Sequence, residues 1–274
     1  MITSRTEVVV GRVLLLLALA LTLLPLLNMA SAALQPAEVN PRGLSWPSDP
    51  QWGNFVTAFE TGHVWRLMGS SLLIVLGVVP AALLIATLAG YALGSLRVRG
   101  GGAVLLFLVL GLTIPFEALI IPLYYQAEAL GTLNTRWAVI LPLIGLFMPF
   151  SVFWMRAHFV NVPPELSEAA RVDGAGLWQE FRRIQLPLAT PALSALAILL
   201  FLWTWNQFLL PVVLIDDPLN RTAAGALTFF QGQYSLSIPL LNAGALIVIT
   251  PVIIVFLIFQ RQFVKALLQG AVKS

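Results

Sequence analysis

Cysteine is missing from all 274 residues. Its absence excludes disulfides, thiolate nucleophiles and cysteine-based metal sites, and no redox compartment can be read from the chain. Charge is scarce as well. Asp, Glu, Lys and Arg make up 10% of the residues, where an ordinary globular domain carries about 25%. So few charges cannot cover a surface that meets water on all sides. The pattern G-x-x-x-x-G-K-[ST], whose backbone N–H groups cradle nucleotide phosphates, does not occur, so the chain is not expected to hydrolyse ATP by itself. No nucleophile, base and acid stand in a catalytic pattern, and no cluster has metal-ligand spacing. Short-period repeats and low-complexity tracts are also lacking.

Apolar residues are present in excess, at 59% of the chain with a mean hydropathy of +0.91. Six apolar runs lie near 8–33, 68–96, 103–125, 137–159, 188–214 and 238–259. Each is long enough to cross a bilayer as a helix, which takes about 20 residues. Barrel-type alternation is absent, and a helix satisfies its own backbone in lipid. The expected fold class is an all-α integral membrane protein, with six transmembrane helices in a single domain over 1–274. Pro25, Pro80, Pro115, Pro142, Pro149, Pro211 and Pro251 fall in or near the spans, where they kink helices.

Orientation follows from Lys and Arg. With the N-terminus inside, the inner segments hold Arg5, Arg12, Arg97, Arg99, Arg156, Arg171, Arg182, Arg183, Arg261, Lys265 and Lys273, and the outer ones hold Arg42, Arg66, Arg136 and Arg221. This asymmetry places both termini, and the segment 160–187, in the cytoplasm. His63 and His158 then fall on opposite sides and cannot act as a pair. The first span, with Ala30-Ser31-Ala32 near its end, imitates a cleavable signal. Its apolar run is longer than a signal core, so an uncleaved helix is expected. The outer loop 35–66 should form an ordered cap or a short surface helix.

The polar segment 160–187 carries its own punctuation. Asn161 and Pro163-Pro164 end the fourth span, and Pro164 suits the first turn of a new helix. Glu165 and Glu168 favour that helix's positive end. Ala169 and Ala170 are strong helix formers with little side chain. Gly174 can turn left-handed and stop the helix. Leu177, Phe181 and Ile184 then recur at helical spacing, with Arg182 and Arg183 on another face. Taken alone, this describes an amphipathic connector at the membrane surface.

Taken together, Glu168-Ala169-Ala170, Asp173-Gly174 and Ile184-x-Leu186-Pro187 resemble the E-A-A…G…I-x-L-P loop of the permease subunits of binding-protein-dependent ABC importers. Trp205-Asn206-Gln207-Phe208 through Pro211 is similar to a W-N-x-F-x-x-P pattern of sugar-importer permeases. The tail 260–274 resembles that of the maltose-type second-permease branch, apart from Ser274 where glycine is usual. Gln207 also departs, standing where an acidic residue is frequent, which leaves substrate preference open. The resemblance implies that the loop is an ATPase-docking element built from Glu168, Ala169, Ala170, Asp173, Gly174, Ile184, Leu186 and Pro187. It implies a homologous second permease, two copies of a cytoplasmic ATPase that bind ATP and Mg, and an outer substrate-binding protein. It also implies a bacterial or archaeal cytoplasmic membrane, a carbohydrate or polyol cargo, and no cofactor in this chain.

Glu117, Trp205, Asn206 and Gln207 are the substrate-pathway candidates. Polar groups at membrane depth are costly and point to function, and side-chain amides suit sugar hydroxyls. Each has a plainer reading. Glu117 could reach water or pair with Arg136, and tryptophans populate the interfacial belt. Asn242 reads as a packing hydrogen bond, and Gly90 with Gly94 as a helix-packing face. The alternative function is an ion-coupled secondary transporter using Glu117.

Overall fold

The computed structural model describes residues 5–96, 98–230 and 237–271, with side chains described between 6 and 261. Arg97 and 272–274 lie outside the described residues. So do the side chains of Arg5 and 262–271, and with them most of the tail that resembles the maltose-type branch.

Every regular element among the described residues is helical. Four helices are long and apolar enough to cross a bilayer: α1 (Arg5–Ala33), α3 (Val64–Gly94), α6 (Trp137–Val160) and the first part of α12 (Ile238–Ala271). Two bent pairs complete the count of six. The short helix α2 (Gly53–Thr61) precedes α3.

The second bent pair joins Leu177–Leu188 to Thr190–Trp205 at 70°, and two of the expected runs, the third and the fifth, are themselves interrupted. The third run divides into α4 (Gly101–Thr113) and a 3₁₀ turn leading into α5 (Ile120–Ala129), with 97° between the halves. Pro115 is the cause: it donates no N–H, and it holds Ile114 extended at ψ 121°. The fifth run, expected to continue to 214, stops at Trp205. It consists of α10 (Thr190–Trp205), a break at 206–208, and α11 (Leu209–Leu214). Pro211 has no N–H for the Gln207 carbonyl. Thr222 Oγ1 donates to that carbonyl instead, at 2.5 Å.

The chain divides into two compact units. One comprises the chain up to Trp65 together with Ala226–Thr250. Its core is Ala33, Ala58, Phe230 and Ala243. Phe230 is wedged against two glycines: a Cβ on Gly62 would stand 2.8 Å from its ring, and one on Gly244 2.5 Å. The expected outer cap is ordered. Asn54 Nδ2 donates to the carbonyls of Ala33 (2.8 Å) and Gln35 (2.7 Å), and Ser31 Oγ donates to that of Ser45 (2.5 Å).

The second unit comprises Arg66–Gly225 and the chain from Pro251. Two core clusters run along α3 and α6, one around Ile74, Leu143 and Leu214, the other around Ala86, Met155 and Leu196. Gly90 and Gly94 pack as the sequence suggests. A Cβ on Gly90 would lie 2.6 Å from Met155 Cβ and 2.9 Å from Arg156 N, and one on Gly94 3.0 Å from Phe159 Cβ. Close approach of two helix backbones through small residues is the usual means of association in lipid.

Candidate functional site

The polar loop after α6 is built from four short pieces. Helix α7 (Pro164–Val172) starts with Pro164 at its first position and Glu165 in its first turn. Its end is a Schellman termination: Ala175 N donates to the Ala170 carbonyl (2.9 Å) and Gly174 N to that of Arg171 (3.0 Å), with Gly174 at φ +79°. Then come α8 (Leu177–Glu180), a π-turn (Phe181–Gln185) and α9 (Leu186–Leu188). Pro187 offers no N–H to the Arg183 carbonyl, which disrupts α-helical register there.

The structure places the candidate docking residues on two faces. Glu168, Ala169, Asp173, Gly174 and Pro187 are exposed, whereas Ala170 is buried and Ile184 and Leu186 are half-buried. Val172 is 88% exposed, an apolar side chain at the tip of the loop with nothing of this chain over it. Leu177 and Trp178 are also exposed, and Trp178 stacks on Phe181 at 5.4 Å.

Sequence reasoning missed the buried polar side of this loop. Glu180 and Gln185 are each 1% exposed. Arg171 Nε lies 3.6 Å from Glu180 Oε2, and Gln185 Nε2 donates to Ser167 Oγ at 3.0 Å. A signal was available. Leu177, Phe181 and Ile184 define an apolar stripe, and Glu180 stands on it at i+3 from Leu177. A carboxylate on the buried face of a helix needs a partner.

The pathway candidates separate. Asn206 and Gln207 border a cavity of about 420 Å³ whose wall includes Ile114, Phe116, Phe147 and Trp203. The Trp203 ring packs against Phe147 at 5.6 Å and Phe150 at 4.9 Å. Both proline-induced breaks contribute to this wall, which places backbone turns beside side-chain amides. Trp205 is 4% exposed and stacked on Phe201 at 5.6 Å, away from the cavity wall. Glu117 is exposed in the first turn after Pro115 and does not line the cavity. Arg136, its suggested partner, is engaged elsewhere: Nε donates to Ser70 Oγ (2.8 Å) and Nη2 to Asn220 Oδ1 (3.3 Å). Asn242 donates to the Ile238 carbonyl within its own helix (2.8 Å). No cluster of His, Asp and Glu fit for a metal exists among the described residues.

A multi-span helical chain with a helix–glycine–helix loop and an amide-bordered cavity has the organisation of a transport permease. Residues 82–269 match the family described as "Binding-protein-dependent transport system inner membrane component", and the chain belongs to it. It is 36% identical over 255 residues to the arabinooligosaccharides transport system permease protein AraQ of Halalkalibacterium halodurans, covering 91% of each. It is 32% identical over 260 residues to the trehalose transport system permease protein SugB of Mycobacterium tuberculosis, covering 94% of this chain and 95% of that one. A chain of a bacterial ABC transporter involved in the import of the acidic polysaccharide alginate shares its fold, with a TM-score of 0.79 and 22% identity, over 96% of this chain and 99% of that one. The protein is thus a multi-pass permease subunit of an ABC importer. The ion-coupled alternative has no support.

Proposed function

We propose that this chain forms one half of the translocation pathway of an ATP-driven saccharide importer, with a homologous permease forming the other half. The 420 Å³ cavity carries the saccharide reading. It combines apolar and aromatic walls with the amides of Asn206 and Gln207, which can donate to and accept from hydroxyl groups without placing a charge in the bilayer. Named relatives that carry arabinooligosaccharides and trehalose support the same cargo class. Trp203 is the aromatic wall of this pathway, and Trp205 supports the helix behind it.

Coupling runs through 164–187. The exposed apolar tip at Val172 and the small side chain of Ala169 fit the groove of a cytoplasmic ATPase subunit, which binds ATP and Mg. Glu168, Asp173 and Gly174 flank that surface. A substrate-binding protein delivers cargo on the outer side, and both termini face the cytoplasm, as the distribution of Lys and Arg supports.

The test is gentle affinity purification of the chain from its native membrane, with co-purifying proteins identified by mass spectrometry. Recovery of an ATPase with a phosphate loop and a second permease is expected. Recovery of the chain alone, in a detergent that preserves comparable complexes, overturns the docking reading. In reconstituted vesicles, Trp203→Ala, Asn206→Ala and Gln207→Ala should each lower saccharide uptake with assembly retained. Unchanged uptake in all three removes the cavity from the pathway.

A further inference from the structure

Glu180 sits where three segments of the chain meet. Arg171 of α7 supplies its ionic partner at 3.6 Å. From the end of α3, the Tyr91 hydroxyl borders the same carboxylate. The Tyr91 ring packs on Phe159 of α6 at 5.5 Å and on Phe181 at 5.0 Å. An apolar side chain on this stripe would fill the space without a desolvation cost, so packing alone does not account for a carboxylate. Neither Glu180 oxygen closes a hydrogen bond of good geometry, nor does the Tyr91 hydroxyl. The carboxylate nevertheless has the Arg171 guanidinium and the Tyr91 hydroxyl beside it, so two separate segments meet on one charge.

We propose that Glu180 is a positioning residue that ties α7 to the second span through Arg171 and Tyr91, so that displacement of the loop is carried into α3. This rests on the docking reading above. The Gly90 contact with Met155 and Arg156 extends the path, because α3 cannot move at that level without moving α6. Gln185, bonded to Ser167, holds the other end of α7 against the π-turn. The loop therefore moves as one body, and Glu180 is its link to the spans.

The experiment is hydrogen exchange on the whole complex purified from its native membrane, nucleotide-free and with Mg-ATP plus orthovanadate. In the parent complex, nucleotide should change exchange both in 164–188 and in 86–96. Glu180→Gln keeps the shape of the side chain, and Tyr91→Phe keeps the ring contacts and loses only the hydroxyl. In both variants the response in 164–188 should persist with the ATPase still bound, while that in 86–96 falls at least fivefold. An undiminished response in 86–96 in both variants overturns the inference. So does loss of the ATPase from the variants alone, which would assign the cluster to the docking surface itself. A parent chain that retains no ATPase fails the docking reading first, and the inference with it.

Discussion

The two ends of α6 treat polar side chains in opposite ways. Where α6 begins, hydrogen bonds knit the neighbouring loops together. Arg136 donates to Ser70 and Asn220, Ser70 donates to the Asn220 carbonyl, and Asn134 and Asp216 exchange two bonds of 2.9 and 2.6 Å. Ser71 accepts from Ala223 N at 2.7 Å. Where α6 ends, about 36 Å away at 1.5 Å per residue, buried atoms lack hydrogen-bond partners: both Glu180 oxygens, Gln185 Oε1, the Tyr91 hydroxyl, Arg156 Nε and His158 Nε2. A fully bonded network rigidifies and specifies one geometry, whereas a partly bonded one gains by rearranging. The first end is held by direct side-chain bonds between loops, whereas the second gathers buried polar groups around one ion pair.

Substitutions can break this contrast, and the largest effect is expected at the ion-paired end. Arg171→Ala strands the buried Glu180 carboxylate. It should cost about 2–3 kcal/mol, at or below the low end for a broken buried pair because Arg171 is itself half exposed. Detergent titration of unfolding measures it, and adding Glu180→Gln to the same chain should recover most of the loss. Additive losses would mean that the two groups do not act as a pair.

Arg136→Ala comes next, at about 2 kcal/mol, the scale of hydrogen bonds from a charged donor. Its effect should appear in stability, with nucleotide-dependent exchange at the loop unaltered. A change in that exchange would show that the bonded end also takes part in the motion.

Gly174 sharpens the contrast by separating strain from crowding. A Cβ there meets nothing within 4 Å, yet φ is +79°. Gly174→Val should cost about 1–2 kcal/mol through backbone strain and release the ATPase on purification, whereas Gly174→Asn should cost only a few tenths. Equal loss in both variants would point to contact with the ATPase rather than to the turn.

Asn134→Gly, which leaves the left-handed backbone at φ +63° accessible, is the smallest of the four. It removes an exposed two-bond exchange with Asp216 and should cost about 1 kcal/mol or less. A loss above 2 kcal/mol would mean that the 215–223 loop depends on this one link.

Much of the loop was legible because its cues are local. Pro164 opens α7 and the left-handed Gly174 closes it, and both roles follow from backbone chemistry within a few residues. The spans were legible from apolar run length. The breaks in the third and fifth spans were harder. Ten prolines lie within the six expected spans, and Pro25 and Pro80 sit inside continuous helices. Whether a proline breaks a helix depends on what takes up the carbonyl it leaves free, and for Gln207 that group is Thr222, fifteen residues away. The cavity was half legible: Asn206 and Gln207 were identified, but Trp205 was chosen where Trp203 faces the opening. Two tryptophans two residues apart on a helix point in different directions, and only the packing of α10 decides which one meets the cavity.

By itself the sequence determined a membrane chain of helices, its family, and the start and stop of α7, because hydropathy and turn chemistry act over short stretches. Only the tertiary structure decided that Arg136 binds Ser70 and Asn220 rather than Glu117. It alone decided that Gly90 admits the α6 backbone, and that Arg171, Tyr91 and Glu180 meet at one buried carboxylate. Such pairings depend on distance in space, and no local rule of backbone or composition brings residues from separate helices to the same point.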